Sequence, residues 1–227
     1  MSPSSPPAEA EYGGPLDLPA RLARRLAQPL PGRVAQERFS PELCHGRHFD
    51  RPPAGARRAA VALLLYPGPA GWLLPLVLRP ASMKSHAGQI ALPGGVIDPG
   101  ETDCQAALRE LHEELGVPAA SVRPLGALSG LLVFVTNFWV TPWVAVLDQP
   151  PHFVPSPDEV ADVLEVPLPW LLDRDSQARG LRTERGITFS APYWEWRGRQ
   201  IWGATAMILG ELEAVLRECG GVAGDCQ

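Results

Sequence analysis

Apolar residues recur along this chain in two rhythms, and the change from one to the other marks out its elements. Leu18, Leu22, Leu26 and Leu30 stand at four-residue steps with Arg21, Arg24 and Arg25 between them. That spacing predicts a short amphipathic helix over 18–30, bounded by Pro29 and Pro31. Residues 1–17 are rich in Ser, Pro, Gly and Ala and read as a disordered tail. Residues 32–58 show turn residues and little pattern, so 18–58 is expected to be a helix plus an extended connector. The core domain is expected over 59–218, with 219–227 as a C-terminal tail.

From Ala59 the period shortens. Ala59–Tyr66 is a continuous apolar run that predicts a buried strand, turned by Pro67-Gly68-Pro69. Gly71–Arg79 reads as a second strand, where Pro75 argues for an edge or a bulge. Ile90–Leu92, Val122–Ser129, Phe138–Leu147 and Val160–Val166 follow as strands, with Pro142 again marking an edge. Thr102–Leu115 is the clearest helix. Pro167–Leu172 reads as a short helix, Ile187–Ser190 with Tyr193–Arg197 as a hairpin region, and Ala204–Cys219 as a closing helix. Arg174–Arg185 carries four arginines without an apolar period and reads as a solvated loop or a mobile lid. Strands mixed with a few helices predict one mixed α/β domain.

Composition narrows the function. In 227 residues, Lys+Arg is 20 and Asp+Glu is 25, a formal charge of −5. Wrapping nucleic acid needs a basic excess that this chain lacks. Its longest apolar run, Ala59–Tyr66, falls far short of a bilayer span, so no membrane partner is expected. No basic stretch followed by an apolar segment opens the chain, which points to a cytoplasmic protein. The four cysteines are scattered, and Cys44-His45-x-x-His48 lacks the second cluster a zinc site needs. The basic residues are nineteen arginines and the single lysine Lys84, with Ala, Gly and Pro abundant, which is a compositional bias rather than a functional signal. Trp194, Trp196 and Trp202 lie close in sequence and either stack on a base or, more commonly for aromatics at strand spacing, fill core.

The helix over 102–115 carries candidate chemistry. Thr102 with Gln105 makes a capping box, and Gly116 ends the helix. Cys104, Ala107, Leu108, Leu111 and Leu115 recur at helical spacing as the core face. On the other side Glu110, Glu113 and Glu114 fall within one narrow stripe, since Glu113 and Glu114 flank Glu110 by roughly 60° and 40°. Like charges so spaced destabilise a helix, and a solvated acidic face is the bland account of them. Asp98 and Glu101 add acid upstream, and Pro93-Gly94-Gly95 supplies backbone carbonyls near the helix entry. Hard oxygen donors of this kind suit Mg²⁺ or Mn²⁺, which would cancel the repulsion. Arg109 sits beside the stripe, placed to pair with Glu101 or orient a carboxylate.

Gly95, five residues, Glu101, seven residues, Arg109-Glu110-Leu111-His112-Glu113-Glu114-Leu115-Gly116-Val117 resembles the Nudix box without a mismatch. The resemblance implies an enzyme that hydrolyses a nucleoside diphosphate linked to another moiety, on a Nudix-type α/β/α sandwich with a mixed β-sheet. It implies Glu110, Glu113 and Glu114 as divalent-metal ligands, Gly95 as a carbonyl ligand, and Arg109 with Glu101 as a brace. For the base that takes the water proton, Glu113 and Glu159 both qualify by type, and Glu159 serves equally well as an ordinary turn residue.

The flanking residues are similar to the coenzyme A diphosphatase branch of that family. Arg79, Lys84, His86-Ala87-Gly88-Gln89 and Leu92-Pro93-Gly94-Gly95 follow its pattern upstream of the box, and Ile201-Trp202-Gly203-Ala204-Thr205-Ala206 follows it near the C-terminus. Ser156-Pro157-Asp158-Glu159-Val160 and Val166-Pro167-Leu168 extend the likeness over about Ala59 to Leu216. Lys84 stands where an Arg is expected, Leu92 for Phe, Pro80 for a small residue and Val77 for Thr. A lysine is a point charge without the arginine fork. Arg79 and Lys84 are candidate anchors for the phosphates of coenzyme A, though Lys84 also reads as an exposed loop charge. His86 either contacts phosphate or closes its loop by hydrogen bonding. The small-molecule partner implied is coenzyme A or a derivative. ADP-ribose, NADH or dinucleoside polyphosphates are the alternatives, and a non-catalytic nucleotide-binding regulator is a third. A homodimer is left open.

Overall fold

The structure is a computed structural model, and it describes residues 17–44, 47, 49–83, 86–184 and 186–220. Two long strands running in the same direction set its frame. β1 (Arg57–Gly68) and β7 (Phe138–Val146) pair in parallel from Arg57↔Phe138 to Leu65↔Val146. Parallel neighbours need a long crossover, and the one between them contains β2 (Gly71–Leu78), β3 (Ile90–Ala91), β4 (Gly94–Val96) and α3 (Asp103–Leu115). β2 returns antiparallel to β1 through Pro69-Ala70, with Gly68↔Gly71 as the last pair. β8 (Asp162–Pro167) and β3 pair with β2, β4 pairs with β1, and β5 (Arg123–Ala127) and β6 (Leu131–Val133) pair with β7, all antiparallel. The result is a mixed sheet of eight strands.

β1 is apolar without alternation because it is covered on both faces. Ala60, Ala62, Leu64 and Tyr66 meet Ala106, Ala107, Leu111 and Leu115 of α3. Leu63 and Leu65 point the other way, into a larger core built with α5 (Gly203–Glu218). Helix, sheet, helix is the layering expected of an α/β/α sandwich. On the α3 face Cys104 and Leu108 are only partly covered, while Ala106 is fully buried.

Neither proline marks an edge. β2 and β7 are both central strands, and each proline sits where one neighbour hands over to another. On β2 the pairing with β1 ends at Leu73 and that with β3 starts at Val77, leaving Pro75 between them. On β7, Pro142 lies between the β6 pairs ending at Val140 and the β5 pairs starting at Trp143, where its carbonyl accepts from the Leu128 amide. A missing N–H is tolerated in such a gap.

The arginine-rich stretch is not a loop. Its residues Gln177–Glu184 form β9, paired in full with β10 (Ile187–Trp196), which in turn pairs with β11 (Arg199–Trp202). Trp194 of this second sheet is fully buried, stacked on Phe39 at 4.4 Å, with its indole N–H on the Ala206 carbonyl. It is a core residue, not a base-stacking one.

Before β1, α1 is shorter than expected, Leu18–Leu26, because the chain must leave the helix before Pro29. Leu18, Leu22 and Leu26 are buried in the main core beside α5 and β5. The connector contains α2 (Arg33–Glu37), and a buried carboxylate fastens it. Glu211 of α5 accepts from the Gly32 and Ser129 amides and from the Gln36 side chain. The short α4 (Leu168–Leu172) carries the chain from β8 toward β9. Among the described residues no helix is long and apolar enough to cross a membrane.

Candidate active site

α3 enters with its register fixed. The Gln105 amide donates to the Thr102 hydroxyl, and the Gln105 side chain accepts from the Thr102 amide at 2.9 Å. Gly116 closes the helix at φ 71°, a left-handed position that suits glycine. Between these ends the three glutamates share a stripe but not an environment. The Glu113 side chain is half exposed, that of Glu110 is mostly covered and Glu114 is buried, because the stripe runs down the seam between helix and sheet.

Arg109 ties the seam together. Its guanidinium donates to both oxygens of Glu101 (3.0 and 3.1 Å), to the Val96 carbonyl (2.9 Å), to Glu110 (2.8 Å) and to Glu113 (2.9 Å). Hydrogen bonds from Arg109 hold the Glu101 carboxyl below its usual range. Burial raises Glu110 against the opposing pull of Arg109. Burial pushes Glu114 up to about 8, opposed by Arg79, with Glu110 and Glu159 adding repulsion. One oxygen of Glu114, Oε2, is buried with no hydrogen-bond partner among the described residues.

Gly95 lies in β4 opposite Ala60. A Cβ there would come within 2.2 Å of Glu110 Oε1, so the backbone and that carboxylate occupy one shared space. Arg79, just after β2, places a guanidinium nitrogen 4.0 Å from Glu114. His86 is exposed at φ 57°, and its ring nitrogen meets Gln89 at 2.9 Å in the loop that the Arg79–Gln89 and Gly88–Arg79 backbone bonds close. Glu159 is exposed in the turn before β8, near enough to add its charge to both Glu110 and Glu114. Lys84, and His45 and His48 of the cysteine–histidine motif, lie outside the described residues.

The turn bearing Glu159 is bound to the end of α3 by amides that sequence reasoning passed over. Val154 and Ser156 donate to the Leu115 and Glu114 carbonyls, each at 2.9 Å. Gly116 was the available signal, since a Cβ there would press on Val154. The Val96 carbonyl was also missed, having no side-chain signature.

Among the described residues no three acidic, histidine or cysteine side chains already converge on one point, because Arg109 holds Glu110 and Glu113. The donors still fit a hard divalent cation. A buried carboxylate oxygen without a partner, a second carboxylate against bare glycine backbone and a third at the rim are oxygen ligands short of positive charge.

A braced helix of carboxylates against a glycine strand, with an arginine facing in, is the site of a hydrolase acting on diphosphate bonds. The chain belongs to the Nudix family, whose NUDIX domain matches residues 56–183. Nudix hydrolases generally use divalent metal ions. A protein of Pectobacterium atrosepticum described as an uncharacterized Nudix hydrolase NudL is 37% identical over 164 residues, 71% of this chain and 84% of that protein. One of the same description from Photorhabdus laumondii is 38% identical over 157 residues, covering 69% and 83%. A solved Nudix hydrolase from M. smegmatis, RenU, is 31% identical with a TM-score of 0.44, covering 50% of this chain and 72% of that one.

Proposed function

We propose that this chain hydrolyses the diphosphate bond of coenzyme A, and of acyl-coenzyme A where the thioester end projects from the site. The products are 3′,5′-ADP and 4′-phosphopantetheine. One observation carries the reading. The segment from Arg79 to Gly95, similar to that of coenzyme A diphosphatases, begins on an arginine facing Glu114 and ends on the glycine against Glu110.

Glu110, Glu113, Glu114 and the Gly95 carbonyl would hold Mg²⁺ or Mn²⁺, which when bound supplies the positive charge that neutralises the phosphoryl oxygens. Arg79 binds and orients the diphosphate from the opposite side, its fork matched to phosphate oxygens. Arg109 keeps the carboxylates in position. Water attacks one phosphorus, the bridging P–O bond breaks, and the departing phosphate keeps the bridging oxygen. A carboxylate takes the water proton. Glu113 and Glu159 are the two open to solvent, and since Arg109 engages Glu113, Glu159 is the better placed. His86 shapes the substrate loop through Gln89, and Lys84, by its charge and its place in the sequence, is the second phosphate anchor of this reading.

The test is chromatography of coenzyme A incubated with the protein, with and without Mn²⁺ or Mg²⁺. Metal-dependent release of 3′,5′-ADP is the expected result. Survival of coenzyme A while ADP-ribose, NADH or a dinucleoside polyphosphate is cut would overturn the substrate reading and leave the reaction class standing.

A further inference from the structure

The chain before Glu159 reads Val154-Pro155-Ser156-Pro157. Each proline fixes its own φ and holds the residue before it extended, so Val154 and Ser156 are set straight by their neighbours. Only these two of the four carry an N–H, and both donate to the end of α3. Val154 donates to the Leu115 carbonyl and Ser156 to the Glu114 carbonyl, each at 2.9 Å. Those are two of the carbonyls that a helix leaves without an internal partner. The Ser156 carbonyl then accepts from the amides of Glu159, at 3.1 Å, and Val160, at 2.8 Å. Val160 is buried on the α3 side of the sheet, and the Ala161 amide donates to the Leu78 carbonyl at 2.8 Å. The turn bearing Glu159 thus bridges two backbones, that of Glu114 at one end and that of Leu78, beside Arg79, at the other.

The near end of this bridge closes only because residue 116 is glycine. With φ 71° it turns the chain out of α3, which is the ordinary duty of a glycine at a helix end. Space is a second and separate demand. A Cβ at Gly116 would stand 2.9 Å from Val154 Cβ, 3.2 Å from its carbonyl oxygen and 3.4 Å from its Cα. None of these atoms moves when a side chain changes rotamer, so the segment itself must yield. Val154 is exposed, and it would lift toward solvent, carrying Ser156 off the Glu114 carbonyl. Glu159, bonded through its amide to Ser156, would turn with it about the buried Val160.

We propose that Gly116 is a positioning residue for the reaction: its bare backbone admits Val154, and the bridge so formed sets Glu159 beside the carboxylate site. The inference rests on the reading of Glu159 as the group that takes the water proton. An asparagine tells the two duties of Gly116 apart, since it tolerates left-handed backbone yet brings a Cβ.

A double-mutant cycle between Gly116→Asn and Glu159→Gln tests this. It is read on coenzyme A or, should that survive, on whichever of ADP-ribose, NADH and a dinucleoside polyphosphate the protein cuts. Gly116→Asn should lower kcat about ten- to a hundredfold, the scale of a displaced catalytic group, with KM and Mn²⁺ affinity little changed. Glu159→Gln should lower kcat by about a hundredfold or more. In the Glu159→Gln background, Gly116→Asn should cost almost nothing further, because the group it displaces is already gone. Val154→Gly removes the atom nearest the added Cβ, and it should return part of the kcat lost in Gly116→Asn. Equal losses in both backgrounds, or an unchanged kcat in Gly116→Asn, would overturn the inference and leave Glu159 as the base. Full activity in Glu159→Gln would overturn the reading of Glu159, and this inference with it. Cleavage of another nucleotide in place of coenzyme A would overturn the substrate reading alone. Thermal melts check the fold, and if Gly116→Asn does not fold, Val154→Pro takes its place in the cycle. That variant deletes one amide of the bridge and leaves α3 unaltered.

Discussion

Arg79 faces Glu114 across 4.0 Å, and the two come from separate layers of the sandwich, the end of β2 and the buried side of α3. The pair is too long for a good hydrogen bond, and one Glu114 oxygen has no partner among the described residues. The buried carboxylate and the guanidinium thus keep bonding capacity that a cation and a phosphate oxygen would use.

Replacing Glu114 by Gln should remove turnover by at least about a hundredfold, the scale expected when charge stabilisation worth several kcal/mol is lost. The fold should survive, since the amide is isosteric and uncharged in a buried place. Activity with thermal melts on the same sample checks both statements. Retained turnover would mean that Glu114 holds nothing needed for the reaction.

The same residue makes metal-free stability depend on pH. Burial raises the Glu114 carboxyl from 4.5 to about 8 in the folded chain. Its protonated form is thus favoured by folding, and the stability it contributes is fully present below about pH 4.5 and lost as pH climbs through 8. With chelator present, the melting temperature should drop between about pH 4.5 and pH 8 and level off above, by several degrees more than in Glu114→Gln. Mg²⁺ or Mn²⁺ replaces the proton, so the metal-induced rise should be larger at the alkaline end. An equal rise at both ends would separate Glu114 from metal binding.

Arg109 contacts three carboxylates and one carbonyl, and no smaller group can reach all four. Arg109→Ala should cost roughly 1–3 kcal/mol of stability by leaving partly buried acceptors unpaired, and should lower kcat/KM as the carboxylates drift. Arg109→Lys should recover little, because a point charge cannot span Glu101 and Glu110 together. Denaturant unfolding beside steady-state kinetics gives the comparison, and full rescue by lysine would show that only charge matters there.

Much of this site could be read along the chain, and the exceptions have physical causes. The capping box and Gly116 fixed the helix ends because both are local hydrogen-bond devices. The stripe Glu110-Glu113-Glu114 followed from helical geometry alone. That Glu114 would be buried and Glu113 open did not, since the seam depends on where β4 crosses the helix. β9 was invisible because its side chains are mostly polar and its strand state comes from pairing along β10. Pro75 and Pro142 misled in the same way, since a gap between two partners in a central strand looks locally like an edge. The anchoring of α2 by Glu211 is a contact across 175 residues or more that no window of sequence contains.

Gly95→Ala tests the tightest contact in the site. Glycine is needed at this position for space, because an added Cβ would stand 2.2 Å from Glu110 Oε1, far inside van der Waals contact. Something must yield, and the end of the Glu110 side chain yields more easily than strand β4, which is paired with β1. The variant should therefore fold with a modest loss of stability, about 1–2 kcal/mol, the range for a small overpacked contact. Glu110, pushed from its place, should no longer share a cation with Glu114, so metal affinity should fall at least about tenfold. Titration of Mn²⁺ followed by the metal's own electron paramagnetic resonance reads that affinity directly. A variant that binds Mn²⁺ as the unaltered chain does would show that Glu110 and the Gly95 backbone do not serve one ion.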